Sequence, residues 1–241
     1  MVHNKHSLDK SSLLSFGALG FLNVVVSMLL LQLAIYFGKA SLTAMIVSMN
    51  PLFVSVFAIY ILREKLSKLQ IISLVVGIAG LGLIICAERD LGSGLYLNLP
   101  LGILFAILAC VTFALYTVLT KRLVARHGNL ITNSMSFLIG GILLALINLV
   151  IGKSMLFDPN LRSILLIIYL GLVVTGLAYV LYFEGMKQLS ASRASIYFFL
   201  KPALASILAY LILQEKLGAL QIAGMMLIML ALSRNMLLKK A

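Results

Sequence analysis

Eight stretches of the chain, at about 13–37, 42–62, 69–87, 98–120, 131–151, 163–184, 193–213 and 217–237, are almost unbroken runs of apolar residues. About 20 apolar residues is the length of an α-helix across the hydrocarbon core of a bilayer. In lipid every backbone N–H and C=O must find a partner within the protein, which leaves helices and closed barrels as spanning structures. The runs lack the alternation of a barrel strand. The fold class is therefore all-α integral membrane, a polytopic helical bundle of about eight transmembrane helices. The connections between runs are too short to hold a soluble domain. The first run is far longer than the 7–15 apolar residues of a cleavable signal, so it reads as a span.

Charge supports the same reading. Only 11% of the residues are charged and 62% are hydrophobic, whereas soluble domains carry about 25% charged residues. The net charge of +12 would fit a nucleic-acid partner if the basic residues formed one patch. Instead they sit in short clusters between apolar runs, where they act as topology signals and meet anionic lipid headgroups. No nucleic acid is expected. With the N-terminus in the cytoplasm, thirteen of the nineteen Lys and Arg residues fall on the cytoplasmic side, five fall on the other, and Lys201 lies within a span. Both termini are accordingly placed inside, in a multi-pass protein of the inner or plasma membrane.

Cys86 and Cys110 lie within apolar runs and read as packing residues. His3 and His6 have the spacing of a metal pair but stand on an N-terminus expected to fray, so no metal and no cofactor is expected. No paired carboxylates, nucleophile–base set or phosphate-cradling Gly-x-x-x-x-Gly-Lys motif is present, so the chain does not read as an enzyme or an ATP-driven pump.

The chain repeats itself. Residues 40–71 align without a gap on 191–222, at an offset of 151. Pro51 matches Pro202, Ser55 matches Ser206 and Ala58 matches Ala209. The polar turn Ile61-Leu62-x-Glu64-Lys65-Leu66-x-x-Leu69-Gln70-Ile71 recurs as Ile212-Leu213-x-Glu215-Lys216-Leu217-x-x-Leu220-Gln221-Ile222. A shared loop in register with both flanking helices is hard to obtain by chance. The copies start five spans apart, an odd number, so they run in opposite directions through the membrane, as the inverted repeats of secondary transporters do. The spans at 98–120 and 131–151 open the second copy, and their counterparts in the first would fall before residue 1. The expected organisation is three spans in residues 1–95, a truncated first repeat, and five in residues 96–241. A start upstream of Met1 or a separate polypeptide supplying two helices would complete the symmetry; a homo-oligomer stays open as a further partner.

These residues resemble the drug/metabolite transporter superfamily, and within it the EamA-type transporters. The resemblance rests on Asn50-Pro51 through Leu62-Arg63-Glu64-Lys65 with Gly77, Gly80 and Gly82, and on Lys201-Pro202 through Leu213-Gln214-Glu215-Lys216 with Gly224. Cys110 to Arg122 and Leu181 to Ser192 are similar to the sixth span and to the eighth-to-ninth junction of that family. The resemblance implies ten spans in two inverted five-span repeats, and export of amino acids, other small metabolites or drugs by alternating access. Coupling to protons or ions, exchange and facilitated diffusion all stay open. A non-transporting remnant or interaction subunit is the rival reading.

Lys201 is the leading candidate for substrate contact. A charge at mid-membrane costs roughly 2.5–3.5 kcal/mol on insertion scales and usually faces the bundle interior. Pro202 beside it removes a backbone N–H and frees a carbonyl, marking a helix break, as does Pro51 in the other copy. Asn50 occupies the symmetric position and offers both donor and acceptor. Tyr116 and Tyr197 lie deepest among the tyrosines and complete the candidate binding set. Asn23, Gln32, Asn133 and Asn148 read as interhelical hydrogen-bonding groups. Glu184 reads as an interfacial ion that could pair with Lys187 or bind a proton. Glu64 and Glu215 read as caps for the helix that follows each. The glycines at 77, 80, 82, 140 and 141 read as sites of close helix packing.

Overall fold

A computed structural model describes residues 9–38, 40–89, 97–152, 160–187, 189–213 and 218–237. Among these every regular element is helical. The helices are α1 (Lys10–Gly38), α2 (Ala40–Val47), α3 (Asn50–Leu62), α4 (Lys68–Arg89), α5 (Leu99–His127), α6 (Asn129–Val150), α7 (Leu161–Lys187), α8 (Ala191–Ser195), α9 (Leu200–Leu213) and α10 (Ala219–Leu237). Among the described residues five helical segments are long and apolar enough to cross a membrane: α1, Thr43–Leu62, α5, α6 and α7. Lys68–Ile84 and Ile222–Leu232 are shorter apolar helices within α4 and α10. The seventh apolar run forms α8, a 3-10 turn (Ile196–Phe199) and α9.

The repeat is visible in the detail of these helices. Asp9 caps α1, and Asn160, 151 positions on, caps α7 by accepting from the Ser163 N–H at 2.8 Å. Both helices widen to a π register midway, over Phe21–Ser27 in α1 and Tyr169–Leu177 in α7. There the Met28 amide bonds the Asn23 carbonyl and the Ala178 amide bonds the Val173 carbonyl, each five residues back. The two proline-bearing spans are likewise interrupted at matching places, at Ser48–Met49 before Pro51 and at Ile196–Phe199 before Pro202.

Contacts divide the chain into two compact units, Met1–Met28 with Leu119–Leu189 and Leu29–Val118 with Ser190–Ala241. Each draws on both halves of the sequence. In the first, α1 and α6 meet at bare backbone: a Cβ on Gly20 would collide with the Ser136 carbonyl oxygen, and one on Gly140 would stand 2.7 Å from that of Gly20. In the second, α4 and α10 cross at Gly80 and Gly224, where a Cβ on either would come within 2.7 Å of the other's carbonyl oxygen. Leu74, Leu81 and Ile84 of α4, Ile228 and Leu232 of α10, and Ile196, Phe199 and Ala203 form the core beside this crossing. Gly77 makes room for the Phe199 ring. Gly82 and Gly141 have no such neighbour among the described residues, so close packing explains Gly77, Gly80 and Gly140 but not these two.

The repeated loop does something other than the expected task. The helix after it, α4, is capped by Ser67 and Gln70 in a reciprocal box, the Ser67 N–H donating to Gln70 Oε1 (2.7 Å) and the Gln70 N–H to Ser67 Oγ (3.2 Å). Glu64 reaches instead across the repeats to the start of α8. Its carboxylate accepts from the Ala191 N–H (2.7 Å), the Ser192 N–H (3.2 Å) and the Ser192 hydroxyl (2.9 Å). The correction has a physical cause. Arg63 takes a left-handed backbone (φ 54°) and turns the chain away from the axis of α4, while α4 already has a polar pair to close its own first turn. Glu215 lies outside the described residues.

Candidate functional site

The site begins with the proton that Pro51 lacks. In a helix the amide of residue 51 would bond the carbonyl of Val47; proline has no N–H, so that carbonyl is left over and α2 ends there. A neighbouring helix takes it up. The Cys110 thiol of α5 donates to the Val47 carbonyl oxygen at 3.7 Å. In return, Asn50 Nδ2 donates to the Cys110 carbonyl oxygen at 3.4 Å. Nearby, the Ser48 and Ser55 hydroxyls bond the carbonyls of Ala44 and Pro51, each at 2.7 Å. Asn50 is completely buried, and its Oδ1 has no hydrogen-bond partner among the described residues. A buried acceptor without a donor costs roughly 1–3 kcal/mol. The break thus holds one acceptor ready for a donor from elsewhere.

The second proline break supplies a cation to the same neighbourhood. Pro202 cannot donate to the Phe198 carbonyl, and the chain tightens there into the 3-10 turn. Lys201, in the first turn of α9, is exposed. Its ammonium sits 3.9 Å from the centre of the Phe198 ring and within electrostatic reach of Cys110. Phe198 packs edge-on to Phe113 at 5.9 Å, and Phe113 lies 6.0 Å from Tyr116. Asn50 at Cys110 and Lys201 over Phe198, equivalent by the repeat, therefore both meet the turn of α5 from Cys110 to Phe113, beside an aromatic wall. Tyr116 is buried behind that wall. Tyr197 is half-buried and packs against the core of α4 and α10, away from Phe198.

The sequence reading missed Cys110, Phe113 and Phe198. Cys110 had a legible signal: a proline four residues after Val47 frees a carbonyl that some donor has to satisfy. Its identity had none, because which helix faces the break is a property of the packed bundle.

Other polar residues answer to each other. Glu184 pairs with Lys187 at 2.7 Å, as expected, and also accepts from Asn129 Nδ2 at 3.0 Å. Asn133 Nδ2 in turn donates to Asn129 Oδ1 at 2.6 Å, so Asn133 ties α6 together. Lys121 donates to the Leu189 carbonyl at 2.6 Å. A recess of about 350 Å³ opens between Lys121, Lys187 and the apolar side chains of Val124, Phe183 and Met186, apart from the candidate residues. Asn23 is buried beside Tyr179.

The profile of the EamA-like transporter family matches residues 1–86 and 100–235. The chain belongs to this family. An uncharacterized transporter of Clostridium kluyveri is 35% identical over 212 residues, 88% of this chain and 68% of that protein. Protein PecM of Dickeya dadantii is 28% identical over 221 residues, 89% of this chain and 70% of PecM. A solved crystal structure superposes with a TM-score of 0.76 at 18% identity, covering 93% of this chain and 76% of that one. That likeness shows a shared all-α fold. The EamA-like protein is thus a multi-pass membrane protein of a transporter family, built as a helical bundle.

Proposed function

We propose that this protein is a secondary transporter that exports small metabolites, such as amino acids or drugs, by alternating access. It does so in the inner or plasma membrane with both termini cytoplasmic. One observation carries the reading: the two proline breaks bring a buried acceptor lacking a donor among the described residues, Asn50 Oδ1, to Cys110, and an exposed cation, Lys201, through Phe198 to Phe113, one turn further along α5. A substrate anion satisfies the lysine, a substrate donor satisfies the asparagine, and a flat or apolar body lies along Phe198 and Phe113. Tyr116 and Tyr197 flank these groups from behind and from the α4 side. Broken helices meeting at the site are the arrangement through which inverted repeats rock. Coupling to protons or another ion supplies the energy.

Substrate flux in vesicles tests the reading, with Lys201→Ala as the control. Counterflow of amino acids that collapses in Lys201→Ala supports it. Flux equal to that of empty vesicles across a broad metabolite panel overturns it for this chain. The rival reading, a non-transporting interaction subunit, draws its support from the bareness of α7.

A further inference from the structure

Helices α1 and α7 are the same element of the repeat, yet their surroundings differ. Both begin at a capped position, Asp9 and Asn160, and both pass through a π register at equivalent residues. On α1, one face is sealed by α6. Phe16, Leu19 and Asn23 are 0%, 3% and 1% exposed, and Gly20 lies against Gly140 and the Ser136 backbone. Adding 151 leads to the same face of α7: Ile167, Leu170, Gly171 and Val174. Here Ile167, Leu170 and Val174 are 50%, 52% and 43% exposed, and nothing stands within 4 Å of the place where a Cβ on Gly171 would sit. No residue from Leu161 to Leu177 is buried. The glycine that lets a helix approach α1 has been kept on α7, where no described helix uses it.

We infer that this face of α7, centred on Gly171, is a docking surface for a transmembrane helix from outside these 241 residues. The helix crosses at Gly171 through a small residue, as α6 crosses α1 at Gly20 through Gly140. The occupied half of the repeat says what covers the bare half. An apolar helix with Gly, Ala or Ser at its crossing point brings two backbones into contact, and close packing of this kind drives helix association in lipid, where burial of apolar surface contributes nothing extra. A second copy of the chain does not supply the match, because its own α6 is already seated on its own α1.

The chain has no tryptophan, so a single Leu170→Trp reports on this face alone. The full chain is reconstituted in vesicles of brominated lipid, which quench a lipid-facing indole. The probe is a synthetic transmembrane peptide with the sequence of Asn129–Val150, the repeat's own example of such a helix. Quenching at Leu170→Trp is expected to fall at least about twofold as peptide is added. A peptide carrying Gly140→Leu leaves it unchanged, and so does adding Gly171→Leu to the chain. Leu204→Trp, on another exposed face, stays quenched throughout. Val174→Trp serves as a second reporter and behaves as Leu170→Trp does. Full quenching of both reporters at every peptide concentration overturns the proposal. Relief that needs only a higher protein-to-lipid ratio, with no peptide present, also overturns it, since a second copy would then be the occupant.

Discussion

The two proline breaks stand at the same register of the repeat and solve the same problem in different ways. At Pro51 the freed carbonyl is taken by the Cys110 thiol and the adjoining Asn50 is sealed from solvent. At Pro202 the chain contracts into a 3-10 turn, and the adjoining Lys201 stays open with its charge over a ring. One break is a rigid, neutral wall with a single spare acceptor. The other is a charged and accessible edge. A pair of equal sites would bind a symmetric ligand from either side. On the proposed function, an unequal pair orients the substrate, with its anionic end toward α9 and its donor end toward α3.

The sharpest way to break this comparison is to remove the charge. Lys201→Ala eliminates the one cation among the candidate residues, and a charge-assisted hydrogen bond is worth about 1.5–3 kcal/mol. Initial flux at limiting substrate is expected to fall at least about tenfold. Lys201→Arg, which keeps the charge but changes its reach and shape, recovers only part of that loss. Asn50→Leu should follow with a smaller effect. It removes the spare acceptor and the bond to the Cys110 carbonyl together, so binding of a donor-bearing substrate weakens by about 1 kcal/mol, or roughly fivefold. An analogue in which the donor is replaced by a methyl group should be insensitive to Asn50→Leu while remaining sensitive to Lys201→Ala. If both analogues respond alike to Asn50→Leu, the division of labour between the two breaks is wrong.

Much of this is legible in the order of residues. Apolar runs of bilayer length gave the helices, because lipid removes most alternatives. An odd number of spans between the copies gave their inversion, and the prolines marked both breaks. The ends of helices were less legible: α5 runs on to His127, seven residues past the apolar run, because Arg126 and His127 suit the negative end of a helix and their side chains reach water from its last turn. The partners were least legible. Glu64 lies four residues before the start of α4 in sequence, and its carboxylate nevertheless bonds residues 127 and 128 positions away. Lys201 could be singled out by the energetic cost of its charge, but nothing in the order of residues placed Cys110 against Val47. Long-range pairings follow from which faces of the helices meet, and an apolar helix carries little record of its neighbours.

Prolines can be exchanged to ask whether the breaks differ in more than their side chains. Pro51→Ala restores an N–H aimed at the Val47 carbonyl, which then has two suitors. The amide is the stronger donor, so the Cys110 thiol is expected to lose its partner and its S–H stretching band to move to higher frequency in the infrared. Pro202→Ala should leave that band in place. A band that does not move in Pro51→Ala would mean that the thiol is held by something other than the freed carbonyl.

The smallest effect belongs to the clasp between Glu64 and α8, the element that leads into the charged break. Glu64→Gln keeps one acceptor oxygen and gives up the negative charge at three donors, for a loss of about 1 kcal/mol. The melting temperature in detergent should drop by a few degrees, as expected for a loss of that size in a chain this long. Ser192→Ala removes only one of the three bonds and should cost less. Because the clasp fixes where the span bearing Lys201 begins, Glu64→Gln should also change substrate affinity slightly, whereas a change of equal stability made at the Gly20–Gly140 crossing of the first unit should not. Equal changes in affinity from both would show that the clasp acts through global stability alone and that the charged break is not positioned by it.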